Sequence, residues 1–123
     1  MDDILKELDF QVGHVGVNLQ TETEAKGCVG TMLSLFGLEE NKAKDSKTAC
    51  FTGQAIEWQK AGGPGTHGHF AVITADLPKA RTYLEAKGIT FNENSIKYNP
   101  DGSVAIIYAT TEIGGFAWHL LQK

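Results

Sequence analysis

Two stretches of the chain open on the same dipeptide and continue in the same pattern. Gly13-His14 begins GHVGVNLQ, and Gly68-His69 begins GHFAVITAD. In each, apolar residues alternate around the histidine, a short polar turn follows, and a helical pattern runs on to a glycine, Gly37 in the first copy and Gly88 in the second. Such a duplication constrains the fold more than any local propensity, because each copy must complete a unit of the same design. Between the copies lies AGGPG at 61–65, turn-rich and without a period of its own. The chain therefore divides into an N-terminal segment 1–11, module one 12–60, a linker 61–66 and module two 67–123. With 123 residues in all, these parts are expected to share a single domain.

Period-two alternation predicts a strand over 12–19, with Val15, Val17 and Leu19 on one face and His14, Gly16 and Asn18 on the other. Thr21 is placed to cap the following helix, with Glu24 three residues on to complete a capping box. Ala25, Cys28, Val29, Met32, Leu33 and Phe36 recur at helical spacing and predict one buried face. Strands are expected over 38–43, 48–52 and 55–59. The second copy repeats the order: a strand at 69–73, a helix capped by Asp76 with Pro78 in its first turn, and strands at 89–93, 103–109 and 116–121. Ala80, Tyr83 and Leu84 form the apolar stripe of that helix. Ahead of both copies, Ile4, Leu5, Leu8 and Phe10 predict a short amphipathic helix that covers one edge. The fold class is α+β: paired βαβββ modules forming a curved, mostly antiparallel sheet around a cleft.

On a strand, apolar neighbours decide which way a polar side chain points. Ile56 and Trp58 turn Glu57 to the face opposite the helix, and Trp118 and Leu120 do the same for His119. Both then share a face with His14 and His69. The first and last strands of each module thus contribute one polar residue each to a common cleft. A carboxylate and three imidazoles buried together without compensation are costly, whereas one divalent cation satisfies all four. Imidazole nitrogen suits Zn, Ni, Co or Fe, and a carboxylate oxygen suits these and Mn. The metal-ligand set is His14, Glu57, His69 and His119, with Glu57 also the candidate catalytic proton carrier. Open coordination positions would serve to polarise a carbonyl or stabilise an enediolate-like charge. The fourth histidine, His67, falls in the linker region and is expected at the surface.

Composition removes several alternatives. The apolar fraction is 41% and the charged fraction 21%, as in a folded globular protein. Eleven basic residues against fifteen acidic ones give a net charge of -4, and no basic run is interleaved with aromatics, so nucleic-acid binding is not expected. No apolar stretch approaches the roughly 20 residues of a membrane span. The start MDDILKELDF has neither the basic segment nor the apolar run of a signal peptide, so the expectation is a cytoplasmic protein without membrane partners. Cys28 and Cys50 lack the close spacing of a redox pair or structural zinc site, and read as small buried apolar groups of a reducing compartment. The glycines at 62, 63 and 65 are not followed by the Lys-Ser or Lys-Thr of a phosphate loop.

His14 in HVGV, Glu57 in IEW, His69 in HFAV, the Asp101-Gly102 turn and His119 in WHL together resemble the vicinal oxygen chelate superfamily. That superfamily includes glyoxalase I, extradiol dioxygenases, fosfomycin-resistance proteins and methylmalonyl-CoA epimerase. The likeness spans about residues 12 to 122. It implies paired βαβββ modules whose first and last strands supply metal ligands, the same four positions reached from strand alternation. Glyoxalase I usually carries glutamate at the last ligand position, where this chain has His119, so the resemblance does not point to glyoxalase activity. GHVGVNL with DGSVAIIYATTEIGGFAWHLLQK is further similar to the C-terminal domain fused to certain bacterial 2-dehydro-3-deoxyphosphogluconate/4-hydroxy-2-oxoglutarate aldolases. The aldolase lysine of those proteins lies in a separate barrel that this chain does not contain.

These readings leave different functional classes. One is a divalent-metal-dependent lyase, isomerase or epimerase-like enzyme acting on a small 2-oxo acid or sugar acid. Another is a non-catalytic module that binds a small acid or assists assembly of an aldolase, in which case an aldolase domain in a longer chain is the partner. A purely structural dimerisation unit gives no reason for polar residues at matched inward positions. Such modules pair through sheet edges, and a homodimer is expected.

Overall fold

The computed structural model describes residues 3–123; the first two residues of the N-terminal segment lie outside that range. Helix α1 covers Asp3–Leu8 and leads into strand β1, Gln11–Asn18. Helix α2, Glu22–Phe36, is followed by a short 3-10 turn at Lys42–Lys44 and strands β2, Ala49–Thr52, and β3, Ile56–Gln59. The second module comprises β4 (Gly68–Thr74), α3 (Leu77–Glu85), β5 (Phe91–Tyr98), β6 (Val104–Ala109) and β7 (Phe116–Gln122).

All seven strands join one sheet in the order β2-β3-β1-β4-β7-β6-β5. In each module the last strand runs parallel to the first, β3 beside β1 and β7 beside β4, while the other pairings are antiparallel. The two modules meet where β1 pairs antiparallel with β4. This is the expected α+β architecture with its mostly antiparallel sheet. It departs from a full duplication at residues 38–43, where the anticipated strand is reduced to a single bridge between Glu40 and Thr52. Strand β2 pairs with β3 as β6 pairs with β7, so module one has no counterpart of the long edge strand β5, and the 3-10 turn lies in the segment where one was anticipated.

Local chemistry explains the helices. The Thr21 side chain accepts a hydrogen bond from the Glu24 amide at 3.1 Å, and the Glu24 carboxylate accepts from the amides of Gln20 and Thr21, which completes the capping box. Asp76 caps α3 by accepting from the Lys79 amide. That helix ends at Glu85, three residues before Gly88. Only Ala25 and Val29 of α2 are buried; Leu33 and Phe36 are exposed, although helical spacing placed them on the buried stripe. Module one contributes three strands to the sheet against four from module two, and so offers the 15-residue α2 less area to cover.

The principal core belongs to module two. Leu77, Ala80, Phe91, Ile107, Trp118 and Leu120 are buried together with Leu8 of α1. Ile4 and Phe10 pack against the same cluster, so the N-terminal helix lies on the core of module two. Its end is tied down where the Leu8 carbonyl accepts hydrogen bonds from the Thr74 hydroxyl and the Ala75 amide. The linker is pinned rather than loose: Asn18 donates to the Gly63 and Gly65 carbonyls, and Thr66 donates to the Glu112 carboxylate.

Candidate metal centre

The pairing registers place the four polar residues with the symmetry of the duplication. Along β1, Gly16 lies two residues after His14 and pairs with Glu57 on β3. Along β4, Ala71 lies two residues after His69 and pairs with His119 on β7. Glu57 and His119 therefore hold equivalent positions in the two modules. Gly16 also pairs with His69 across the module boundary, which draws the two histidine-bearing strands to a single point. A Cβ at Gly16 would overlap the His69 imidazole, so the absence of a side chain there is what admits the ring.

The side chains converge as the registers require. His14 Nε2 lies 3.3 Å from His69 Nε2, and Glu57 Oε1 lies 3.7 Å from His69 Nε2. His14, His69 and His119 each offer a ring nitrogen to one group whose atoms all lie within 4.8 Å of one another. His69 and His119 are only 3% and 2% exposed, while His14 and Glu57 are half-buried. Two nitrogens bound tetrahedrally at about 2.0–2.1 Å from a zinc-like ion stand roughly 3.3 Å apart, the separation of the His14 and His69 nitrogens. His67 does not join the group; it is exposed and packs against Phe116.

Burial also sets the charge state of the rings. Desolvation, with a smaller contribution from neighbouring His14, pushes His69 down to about 4. His119 is likewise lowered to about 4, chiefly by burial. His14 is lowered as well, by desolvation and then by the Lys44 charge. At neutral pH the rings are thus uncharged, the form in which imidazole is a ligand. His119 Nδ1 sits 3.4 Å from the Leu120 carbonyl, a contact that directs its proton there and leaves Nε2 free to accept. His69 Nδ1 is buried without a hydrogen-bond partner. Burial raises the pKa of Glu57, whose Oε1 accepts a hydrogen bond from Gln59 Nε2. The donor set, three neutral imidazoles and one carboxylate, fits a borderline divalent cation such as Zn, Ni, Co, Fe or Mn.

These groups line a cleft of about 760 Å³ that also takes in Gln59, Asn92, Lys97 and Tyr108. Tyr108 is a functional candidate not drawn from the sequence. It pairs with His119 across β6 and β7, as Phe51 pairs with Glu57 across β3 and β2, so an aromatic ring flanks the site at equivalent places in both modules. Its ring centroid lies 4.7 Å from that of His119. Burial and the nearby Glu57 carboxylate push its hydroxyl up to about 12, which keeps it protonated as a donor. The signal that finds it is the alternation of VAIIYA, in which Ile107 is buried and Ile106 and Tyr108 turn toward the cleft.

Among the smaller features, Cys50 is buried and Cys28 half-buried, and neither is in a disulfide. Among the described residues, no helix is long and apolar enough to cross a membrane.

Set against known protein families and curated proteins, the sequence matches no family model and no curated protein. Solved structures do match it, over nearly the whole chain. A hypothetical protein from Bacillus halodurans C-125 superimposes with a TM-score of 0.63 at 11% identity, covering 93% of this chain and 94% of its own. A methylmalonyl-CoA epimerase variant from Streptomyces coelicolor, in complex with 2-nitronate-propionyl-CoA, gives 0.59 at 14% identity over 92% of this chain and 96% of that one. Methylmalonyl-CoA epimerase from Mycobacterium tuberculosis gives 0.54 at 15% identity over 90% and 86%. At these identities the likeness establishes architecture, and the chain has the α+β glyoxalase-like fold.

Proposed function

We propose that this protein is a divalent-metal-dependent enzyme of the epimerase, isomerase or lyase type, acting on a small 2-oxo acid or sugar acid. The observation that carries the reading is the convergence of the His14, His69 and His119 nitrogens, from both modules, within 4.8 Å of one another, with the Glu57 carboxylate 3.7 Å from His69. Shared architecture with methylmalonyl-CoA epimerases supports the same direction.

The four side chains would hold the ion, which when bound acts as a Lewis acid toward a carbonyl oxygen. The chain's own groups divide the remaining work. Glu57, half-buried and with its pKa raised, takes a proton from the carbon beside the carbonyl and returns it, on the same face or after the intermediate has turned. Tyr108 keeps its proton and donates a hydrogen bond into the cleft where negative charge develops on oxygen.

The test is proton exchange into a panel of 2-oxo acids and sugar acids in deuterated water, followed by NMR with metal-loaded protein. Exchange at the carbon next to the carbonyl is expected, and Glu57→Gln is expected to slow it by about 100-fold or more. Exchange at the same rate in Glu57→Gln refutes the assigned role. Tight binding of an acid with no exchange, cleavage or isomerisation would instead favour a non-catalytic small-acid-binding module.

A further inference from the structure

The chain carries an excess of acid, yet the cations nearest its cleft are not used to neutralise that acid. Lys97 lines the cleft from β5, beside Ile106, its register partner on β6. Lys44 comes from the 3-10 turn of module one and sits over the Phe51 ring, 5.3 Å from its centroid, while Phe51 in turn lies edge-on to His14 at 6.5 Å. Among the described residues neither lysine forms an ion pair, as is also true of Lys6, Lys42, Lys47 and Lys87, while Lys26, Lys60, Lys79, Arg81 and Lys123 each have a carboxylate within 4.0 Å. Both are exposed at their outer ends. Each lies close enough to the site for its charge to act on Glu57.

Pro64, Ile96, Ile106, Ala109 and Ala117 give the cleft apolar wall, and its polar lining is mostly neutral, with Lys97 its one lysine. Asn92, Asn94 and Ser95 line the wall beside Lys97, and Gln59 lines the floor next to Glu57. Glu57 is the one carboxylate among the lining residues, and coordination of a divalent ion would more than offset it. A neutral ligand gains nothing from two unpaired ammonium groups, while an anion gains a charge-assisted contact from each.

We propose that Lys97, which lines this cleft, and Lys44, stacked on Phe51 beside His14, one from each module, act together in anion recognition and make the cleft selective for small carboxylates over neutral molecules of the same shape. The proposal rests on the reading of the cleft as the substrate site and adds the residues that set its specificity. The duplication places the metal-ligand candidates at equivalent positions, but the lysines come from the segments in which the modules differ, the 3-10 turn and β5. Recognition thus resides in the parts of the two copies that diverged.

Oxalate and its neutral isostere oxamide provide the probes, since they share adjacent oxygens and differ in charge. Binding of each is measured by NMR titration of the full chain, metal-free and cobalt-loaded, for wild type, Lys44→Met, Lys97→Met, the two Lys→Arg variants and the surface control Lys47→Met. Oxalate affinity is expected to fall about 5- to 20-fold in each Lys→Met cleft variant and to stay near wild type in Lys→Arg and Lys47→Met, with oxamide unaffected throughout. Oxalate binding that is absent in wild type, equal in the Lys→Met cleft variants, or no tighter than oxamide overturns the proposal. Cobalt uptake is scored separately. Lysine-dependent oxalate binding without cobalt uptake would remove the metal and leave this inference, and cobalt uptake with lysine-independent oxalate binding would do the reverse.

Discussion

Gly16 shows how one residue can set the geometry of a whole site. It pairs with Glu57 on one side and His69 on the other, and a methyl group at its Cβ would overlap the imidazole. Gly16→Ala is expected to push His69 out of the group and lower divalent-metal affinity about 10-fold or more. The accompanying loss of stability, roughly 1 to 3 kcal/mol, is typical of overpacking. Isothermal titration with cobalt and a urea melt separate the two effects. The buried histidines give a second prediction, for metal-free protein. Their folded pKa values lie near 4, below the ordinary 6.5, so the unfolded chain binds protons that the folded chain refuses. Their contribution to stability is present in full above about pH 6.5 and is lost as pH falls toward 4. At pH 5 the loss amounts to about 2 kcal/mol per ring, partly offset by Glu57, whose raised pKa works in the opposite sense. Urea midpoints at pH 7 and pH 5 check this, and a flat profile would show that the rings are not desolvated. Tyr108 went unread in the sequence for a reason at this scale. The alternation of VAIIYA groups Tyr108 with Ile106, but in an apolar run it does not say which of the two faces meets the core until the partners across the sheet are known.

The strands and helices were legible wherever a cap or strict alternation marked them. Thr21 with Glu24 and Asp76 with Pro78 begin helices as their chemistry dictates, and HVGV, HFAV and WHL alternate because one face meets the core and the other the cleft. Alternation failed on β5, expected over 89–93 and found at Phe91–Tyr98. FNENSIKY is an edge strand with register shifts between Asn92 and Tyr98, and its Asn92, Asn94, Ser95 and Lys97 line the cleft. Its apolar signal is therefore weak. Helix α2 departs the other way, since its apolar spacing continues through Leu33 and Phe36, which are exposed. Two substitutions test the element-level account by their effect on urea unfolding. Thr21→Ala removes the capping hydroxyl and is expected to cost about 1 kcal/mol with the metal site intact. Gly68→Ala puts a side chain at φ 151° where a Cβ would overlap the Gly16 carbonyl, at the junction of β1 and β4. It is expected to cost about 3 kcal/mol or more and to weaken metal binding as well, because that junction aligns the two modules. A change in Gly68→Ala no larger than that of Thr21→Ala would mean that the junction tolerates displacement.

Over the molecule as a whole, the site exists because two similar units share one sheet. Neither module has the full donor set: module one supplies His14 and Glu57, module two His69 and His119, and the antiparallel β1–β4 pairing brings them together. An ion bound by all four would act as a clasp between the modules, and its binding would raise folded-state stability by mass action. The most direct test is cobalt titration and elemental analysis of the full chain beside His14→Ala and His119→Ala, one ligand removed from each module. If one ion is shared, wild type binds about one equivalent, both variants lose affinity by at least about 10-fold, and chelation lowers the unfolding midpoint of wild type alone. Near-wild-type affinity in either variant, or no metal uptake by the intact protein, would show that the two modules do not build a common centre.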